Sequence, residues 1–374
     1  MHKHVNYYFL GISLALAIFG ILFLATLSAP ASMQYFGNTN YYLFHQLIAL
    51  AIGLVAGFLV YKIPLHILKK ISLPFLIINI LLLLAVFLPF LGAKFWGAKR
   101  WINIGGLTFQ PSEFFKIAVI LYLSAWLSTK FSENLKRGWL ISAKKGYHDF
   151  IKVFLPFAAL LAIIVLIFYF QKDVSTLIII SAALLAIYFS AGTPIWHTIL
   201  LILSGAAGLL ILIKIEPYRV QRFLAFLHPE KDPLGIGLQL KQSLISVGSG
   251  GIFGNGLGMS TQKFGFLPQA MGDSIFAILG EEIGIIGCSI LIFGFLFFLW
   301  QGIKIASAST DKFSKLTAIG ITTWIVFQAF FNIGSTLGLL PLSGIPLPFF
   351  SYGGSHIVAE MIGVGILLNI SKHS

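Results

Sequence analysis

Apolar runs of about 20 residues recur along the chain, near positions 7–28, 43–61, 71–90, 112–129, 150–170, 174–192, 195–213, 274–300, 316–340 and 351–370. A helix needs about that length to cross some 30 Å of hydrocarbon. The repetition leaves one class of fold, an all-α polytopic integral membrane protein with about ten transmembrane helices. Mean hydropathy is +0.93 and only 10 % of the 374 residues are charged, so the gaps hold no soluble domain and a single transmembrane domain over 1–374 is expected. The start, MHKHVNYYFLGISLALAIFG, has an apolar core longer than that of a signal peptide and reads as an uncleaved first helix.

The formal net charge of +13 does not point to nucleic acid, because the basic residues fall in short loops beside the spans. With the N-terminus inside, Lys62, Lys69, Lys70, Lys130, Lys136, Arg137, Lys144, Lys145, Lys304, Lys312, Lys315 and Lys372 all face the cytoplasm, as do both termini. Lys94, Lys99, Arg100, Lys172, Arg219, Arg222, Lys231, Lys241 and Lys263 then fall outside, against that bias, which hints at an anionic ligand. The basic inner stretch SENLKRGWLISAKKGYHD reads as cytoplasmic flank. The lone cysteine, Cys288, allows no intrachain disulfide, and no zinc-like spacing or internal repeat is found.

One long stretch breaks the apolar pattern. The outer loop of about 214–275, between the seventh and eighth spans, is too long for a simple connection and too rich in aromatics for disorder. It opens with Arg219 and Arg222, three apart, which on a helix present both guanidinium forks to one side; phosphate oxygens, specific or those of headgroups, suit them. Glycines including Gly250 follow, able to bring backbone close to a ligand, with Gln242, Ser243, Ser246, Ser249 and Lys263 as donors. The loop ends at Asp273, and by position alone a helix cap is the better reading of that residue. Asp173, at the turn before the sixth span, also reads as a cap.

Elsewhere, the second outer loop combines Trp96 and Trp101 with Lys99 and Arg100, either as an interfacial belt or as part of a site. Glu113 and Lys116 follow on one helix face, either a self-neutralising pair or a functional one. Glu281, Glu282 and Glu360 lie within apolar helices, where carboxylates are costly unless paired or functional. The segment 332–355 is broken by Pro341, Pro346 and Pro348 and reads as the lining of a cavity, with Ser351 and Tyr352 as candidate contacts.

GAKRWINIGGLTFQPSEFFKIAV, PYRVQRFLAFLHPEKDPLGIGLQLKQSLISVGSGGIFGNGLGMSTQK, Asp273 ahead of IFAILGEE, and GIPLPFFSYGGS together resemble the SEDS family of bacterial shape, elongation, division and sporulation proteins, most closely its FtsW branch. The resemblance spans nearly the whole chain in order. It implies a ten-helix peptidoglycan polymerase that joins lipid II units outside the cytoplasmic membrane, working with a class B penicillin-binding protein and other division or elongation proteins. The family's essential aspartate falls on Asp273, and its outer-helix Glu and Lys fall on Glu113 and Lys116. Two motifs depart from the family pattern. Pro-Glu-x-His-Thr-Asp-Phe is here Pro268 to Ser274 without the Glu, His or Thr, and Gln-Pro-Asp-x-Gly-Thr is Gln171 to Thr176; each keeps its Asp.

The implied reaction displaces a lipid pyrophosphate, already a stable anion, so one base suffices where glycosidases need two carboxylates. Asp273 is the expected base, with Arg100, Lys116, Arg219, Arg222 and Lys263 as candidate clamps on the pyrophosphate. A divalent cation, Mg or Mn, could replace some of them. The competing readings are a lipid II flippase, motivated by Glu281, Glu282 and Glu360, and a non-catalytic scaffold of a division complex.

Overall fold

The computed structural model describes residues 5–95, 98–105, 107–130, 150–232 and 235–373. Trp96 and the basic inner stretch with Lys136, Arg137, Lys144 and Lys145 lie outside the described residues. The ten apolar runs correspond to α1 (Tyr7–Phe36), α2 (Tyr41–Lys62), α3 (Leu65–Ala85), α4 (Pro111–Lys130), α5 (Leu155–Phe170, entered through a π-turn at Phe150–Phe154), α6 (Val174–Ser190), α7 (Ile195–Ile215), α10 (Ile275–Ala308), α11 (Lys312–Thr336) and α12 (Gly354–Lys372). Between α7 and α10 the outer loop folds into two further helices, α8 (Pro217–Leu227) and α9 (Ile236–Ser249). Caps mark several boundaries. Asn6 accepts from the Phe9 N–H, Asp173 from Thr176 and Asp311 from Ser314, while Gly37, at φ +66°, closes α1. Asp173 is thus the cap its position suggested.

The second outer loop adds the strands β1 (Gly92–Phe95), β2 (Ala98–Ile104) and β3 (Leu107–Phe109), an antiparallel meander in that order with Ile102 opposite both Gly92 and Phe109. It is a small addition to an otherwise helical molecule. Alternating apolar residues around Gly105 favour extended chain there, and buried Ile102 anchors it.

The helices are not equally enclosed. Over their most apolar windows, α11 is 72 % buried and α12 78 %, whereas α7 is 11 % buried and α2 22 %. α11 and α12 form the centre and the other two lie at the lipid-facing periphery. Bare Cα positions bring helices together: a Cβ at Gly57 of α2 would stand 2.5 Å from the Met361 carbonyl oxygen of α12, and one at Gly365 would stand 2.2 Å from that of Gly57. Gly250, at the end of α9, does the same against α10. A Cβ there would lie 1.9 Å from the Gly280 carbonyl oxygen, so this glycine serves helix packing. Gly250→Ala is expected to push α9 off α10 and destabilise the protein by about 1–3 kcal/mol, read as a lower thermal unfolding midpoint in detergent; an unchanged midpoint would refute the close crossing.

Candidate active site

Asp273 sits in the turn that enters α10, and three separate parts of the chain hold that turn. Buried Asn332 of α11 donates from Nδ2 to the Asp273 carbonyl at 2.8 Å and to the Ile345 carbonyl at 2.7 Å, tying the turn to the loop between α11 and α12. Thr336 adds a longer bond to the same Asp273 carbonyl, 3.4 Å. From that loop Ser351 Oγ donates to the Gly272 carbonyl at 2.6 Å, and the Tyr352 N–H donates to that of Met271 at 2.9 Å. From α9, Gln239 Nε2 reaches Ser274 Oγ at 3.0 Å and the Asp273 carboxylate at 3.4 Å.

The half-buried Asp273 carboxyl is raised from 3.8 to about 6, because desolvation outweighs the opposing Arg222 guanidinium and the hydrogen bonds from its own backbone, Gln239 and Gly344. Gly344 holds φ +69°, which a side chain would resist, and its amide reaches the carboxylate from the loop. Arg222 also donates to the Leu342 carbonyl at 3.5 Å, so it spans the same loop. The result is a carboxylate poised between acid and base near neutral pH, beside one guanidinium able to meet an anion.

Glu113 and Lys116 are brought together, 2.8 Å apart and both buried. They belong to a larger buried group. His356 Nδ1 lies 3.0 Å from Glu113, and its Nε2 is 2.8 Å from Glu360. Lys116 donates to Gln328 at 3.0 Å and lies 4.8 Å over the Trp324 ring. Gln328 donates to the Pro346 carbonyl at 3.1 Å, and Glu360 accepts from the Phe349 N–H at 2.9 Å. The group therefore binds α4, α11 and α12 to the loop that cradles Asp273.

The glycine-rich turn after α9 is fastened to a break in α10. Gly284, at φ +62° and ψ −167°, interrupts the helix. The carbonyls freed at Glu281 and Glu282 accept from Asn255 and Gly256, and the freed N–H groups of Ile285 and Ile286 donate to Gly251 and Ile252. The two carboxylates complete the join. Glu281 accepts from Ser246 Oγ at 3.1 Å, from the Thr261 N–H at 2.9 Å and from Ser260 Oγ, while Glu282 accepts from the N–H groups of Gly258 and Ser260. Lys263 turns inward onto the Gly258 carbonyl and Glu282.

The remaining expected residues are dispersed. Arg100 is one-third exposed and donates to the Gln171 and Lys172 carbonyls, 3.7 Å from Asp173. Arg219 is buried on the Leu212 carbonyl at 2.8 Å, between the rings of Tyr169 and Tyr218. Gln242 is half-buried on α9, Ser243 is fully buried, and exposed Ser249 bonds back to the Ser246 carbonyl. Tyr352 lies edge-on to Tyr42, its hydroxyl pushed up to about 12 by burial. Among the described residues no three His, Cys, Asp or Glu side chains gather as a metal would require. Asp273 is the carboxylate at this site that could join substrate phosphates in holding a Mg or Mn ion, and it already accepts from Gln239 and the Gly344 amide.

Residues 7–374 match the family model described as "Cell cycle protein", which covers FtsW, RodA and SpoVE. The chain belongs to this family. It is 36 % identical to the stage V sporulation protein E of Bacillus subtilis, over 97 % of this chain and 96 % of that protein. It is also 36 % identical to the probable peptidoglycan glycosyltransferase FtsW of Trichlorobacter lovleyi, over 96 % and 90 %. A solved chain described under "structural coordination of polymerization and crosslinking by a peptidoglycan synthase complex" superposes with TM-score 0.76 at 25 % identity, covering 98 % of this chain and 97 % of that one. The rod-shape-determining protein RodA of Thermus thermophilus gives 0.69 at 23 %, over 98 % and 96 %, a likeness of fold.

In this FtsW/RodA/SpoVE-family chain, sequence reasoning passed over Gln239, Asn332, Gln328 and His356. His356 and Glu360 are four apart in an apolar span, a visible signal. Gln239 shares a helix face with Ser243 and Ser246 through the same spacing. Asn332 carried no signal beyond being polar at a helix end, because its role lies in contacts made across the fold. Arg222→Met is expected to raise the Asp273 carboxyl above about 6, since the opposing cation is removed. An infrared pH titration of the carboxyl band checks this, and a lowered midpoint would contradict the assigned geometry.

Proposed function

We propose that this protein is a peptidoglycan glycosyltransferase that polymerises lipid II on the outer face of the bacterial cytoplasmic membrane, with Asp273 as general base. One observation carries the reading: a lone half-buried carboxylate, raised to about 6, stands beside Arg222 and is held by α9, α11 and the α11–α12 loop. Relatives named peptidoglycan glycosyltransferase, alike over nearly the full chain, support it. In the step, the 4-hydroxyl oxygen of one sugar attacks the anomeric carbon of another, and the bond from that carbon to the lipid pyrophosphate breaks with inversion. The hydroxyl proton passes to Asp273. The leaving anion needs no proton, and Arg222 offsets its charge.

Of the cations first considered as clamps, Arg222 is the one beside Asp273, while Lys116, Arg219 and Lys263 already serve partners within the protein. Glu113 and Lys116, with His356, act from beneath by supporting the loop. The carboxylates that motivated a flippase, Glu281, Glu282 and Glu360, each hold backbone groups in place. No observation therefore favours transport over polymerisation. The working partner is a class B penicillin-binding protein transpeptidase, supported by the likeness to a chain from a complex described as polymerising and crosslinking. The resemblance to FtsW and the sporulation protein favours a role at the division septum.

The purified protein, with its cognate transpeptidase and labelled lipid II, is expected to form glycan strands, and Asp273→Ala to form none while still folding. Undiminished strands from Asp273→Ala would sink the base assignment. Because the base must be deprotonated, the wild-type rate should be flat above the carboxyl's midpoint and fall as pH drops through about 6. A rate indifferent to pH between 5 and 7, on the order of one unit either side of that midpoint, would also reject it.

A further inference from the structure

The glycine-rich turn carries more exposed apolar surface than a loop in water would tolerate. Ile252, Phe253, Leu257, Met259, Phe264 and Phe266 each keep between 61 % and 80 % of their surface exposed. Its one charged residue, Lys263, is folded inward. The backbone of the turn is served from inside, by the carbonyls and carboxylates of Glu281 and Glu282, which is what irregular chain needs where water is absent.

Two helices give its depth independently. On α10, exposed Trp300 with Lys304 over its ring marks the cytoplasmic interface, and Gly284, which holds the turn, lies about 16–20 residues away, roughly 24–30 Å. On α1, exposed Tyr7 and Tyr8 mark the same interface. Thr26, whose side chain faces Gly258 of the turn, lies about 19 residues on, roughly 28 Å. The hydrocarbon layer is about 30 Å thick. Both measures set the turn at the outer edge of that layer, while α1 runs about 15 Å further out to Phe36. The apolar face of the turn also continues into Ile285, Ile286, Ile290 and Phe293, exposed on the membrane-spanning part of α10.

We propose that the turn Ile252–Phe266 is a re-entrant membrane anchor, its apolar side chains lying among acyl chains of the outer leaflet, which fixes the height of the long outer loop above the bilayer. Asp273 stands about 11 residues before Gly284, at most about 16 Å above the anchor. On the polymerase reading, that is the height of a sugar carbon joined through a diphosphate to a lipid; the anchor itself does not depend on that reading.

The test uses the full chain alone in liposomes, with nitroxides at Phe253→Cys, Leu257→Cys and Phe264→Cys. Cys288 is buried, and a labelling control on the unmodified chain checks that it stays silent. Ile290→Cys on α10 serves as the lipid reference, and Asn38→Cys, in the exposed turn before α2, as the water reference. The expected result is collision with dissolved oxygen several-fold above that with a water-soluble nickel chelate, as at Ile290. Accessibility to the chelate like that of Asn38 would overturn the anchor. Protection from both would overturn it too, in favour of a face covered by a second copy. A fluorophore at the same positions, quenched by spin-labelled lipids, repeats the measurement if a nitroxide disturbs the turn.

Discussion

Backbone groups removed from water must find partners inside the protein, and that constraint decides what the polar side chains of α10, α11 and α12 do. The break at Gly284 frees N–H and carbonyl groups of α10, which the glycine-rich turn takes up, and Glu281 and Glu282 take up the donors of the turn in exchange. The loop between α11 and α12, broken by three prolines, is served in the same manner by Gln328, Asn332 and Glu360. Ser351 and Tyr352 of that loop bond the turn bearing Asp273. These buried charged and polar residues thus hold in place the irregular chain on which the Asp273 carboxylate rests.

The span count was legible because a run of about 20 apolar residues has few alternative fates, and each run became a helix. α4 and α6 illustrate the limit of that signal. α4 carries the Glu113–Lys116 pair and α6 has only 17 residues, so neither stands among the eight helices that qualify by length and apolarity alone among the described residues, whereas α5 qualifies together with its π-turn. Both sit against α11, and packing supplies what their own hydropathy lacks. The candidate site was legible only in part. Asp273 could be singled out, yet position alone favoured a cap, and the hydrogen bonds that tie its turn to α9, α11 and the α11–α12 loop come from residues roughly 34 to 81 positions distant, a separation no local pattern reports.

Holding Asp273 in this state works against the fold. In the unfolded chain the carboxyl titrates at 3.8, and in the folded protein at about 6. Between those values the folded state binds more protons, so stability falls as pH rises through that window, and at neutral pH the full destabilisation is present. A carboxylate selected for stability alone would be shifted down, as a cap or an ion pair. The upward shift, caused by desolvation, is what the proposed role of Asp273 as a base needs and what a purely structural carboxylate would not.

On the proposed reading of Asp273 as the base, the dispersal of the cations follows the same logic. Each guanidinium or ammonium brought beside Asp273 would lower its pKa and weaken it as a base. It would also strengthen the hold on a pyrophosphate that has to depart after each addition, binding product and transition state alike without gain in rate. A site with Arg100, Lys116, Arg219, Arg222 and Lys263 all facing one anion would bind well and turn over poorly. Here Arg219 is turned onto Leu212 and two aromatic rings, Lys263 onto Glu282 and Lys116 onto Glu113, leaving Arg222 as the near cation whose pull desolvation still exceeds. In the proposed mechanism a single opposing charge is enough to meet a leaving anion and few enough to leave Asp273 its strength as a base.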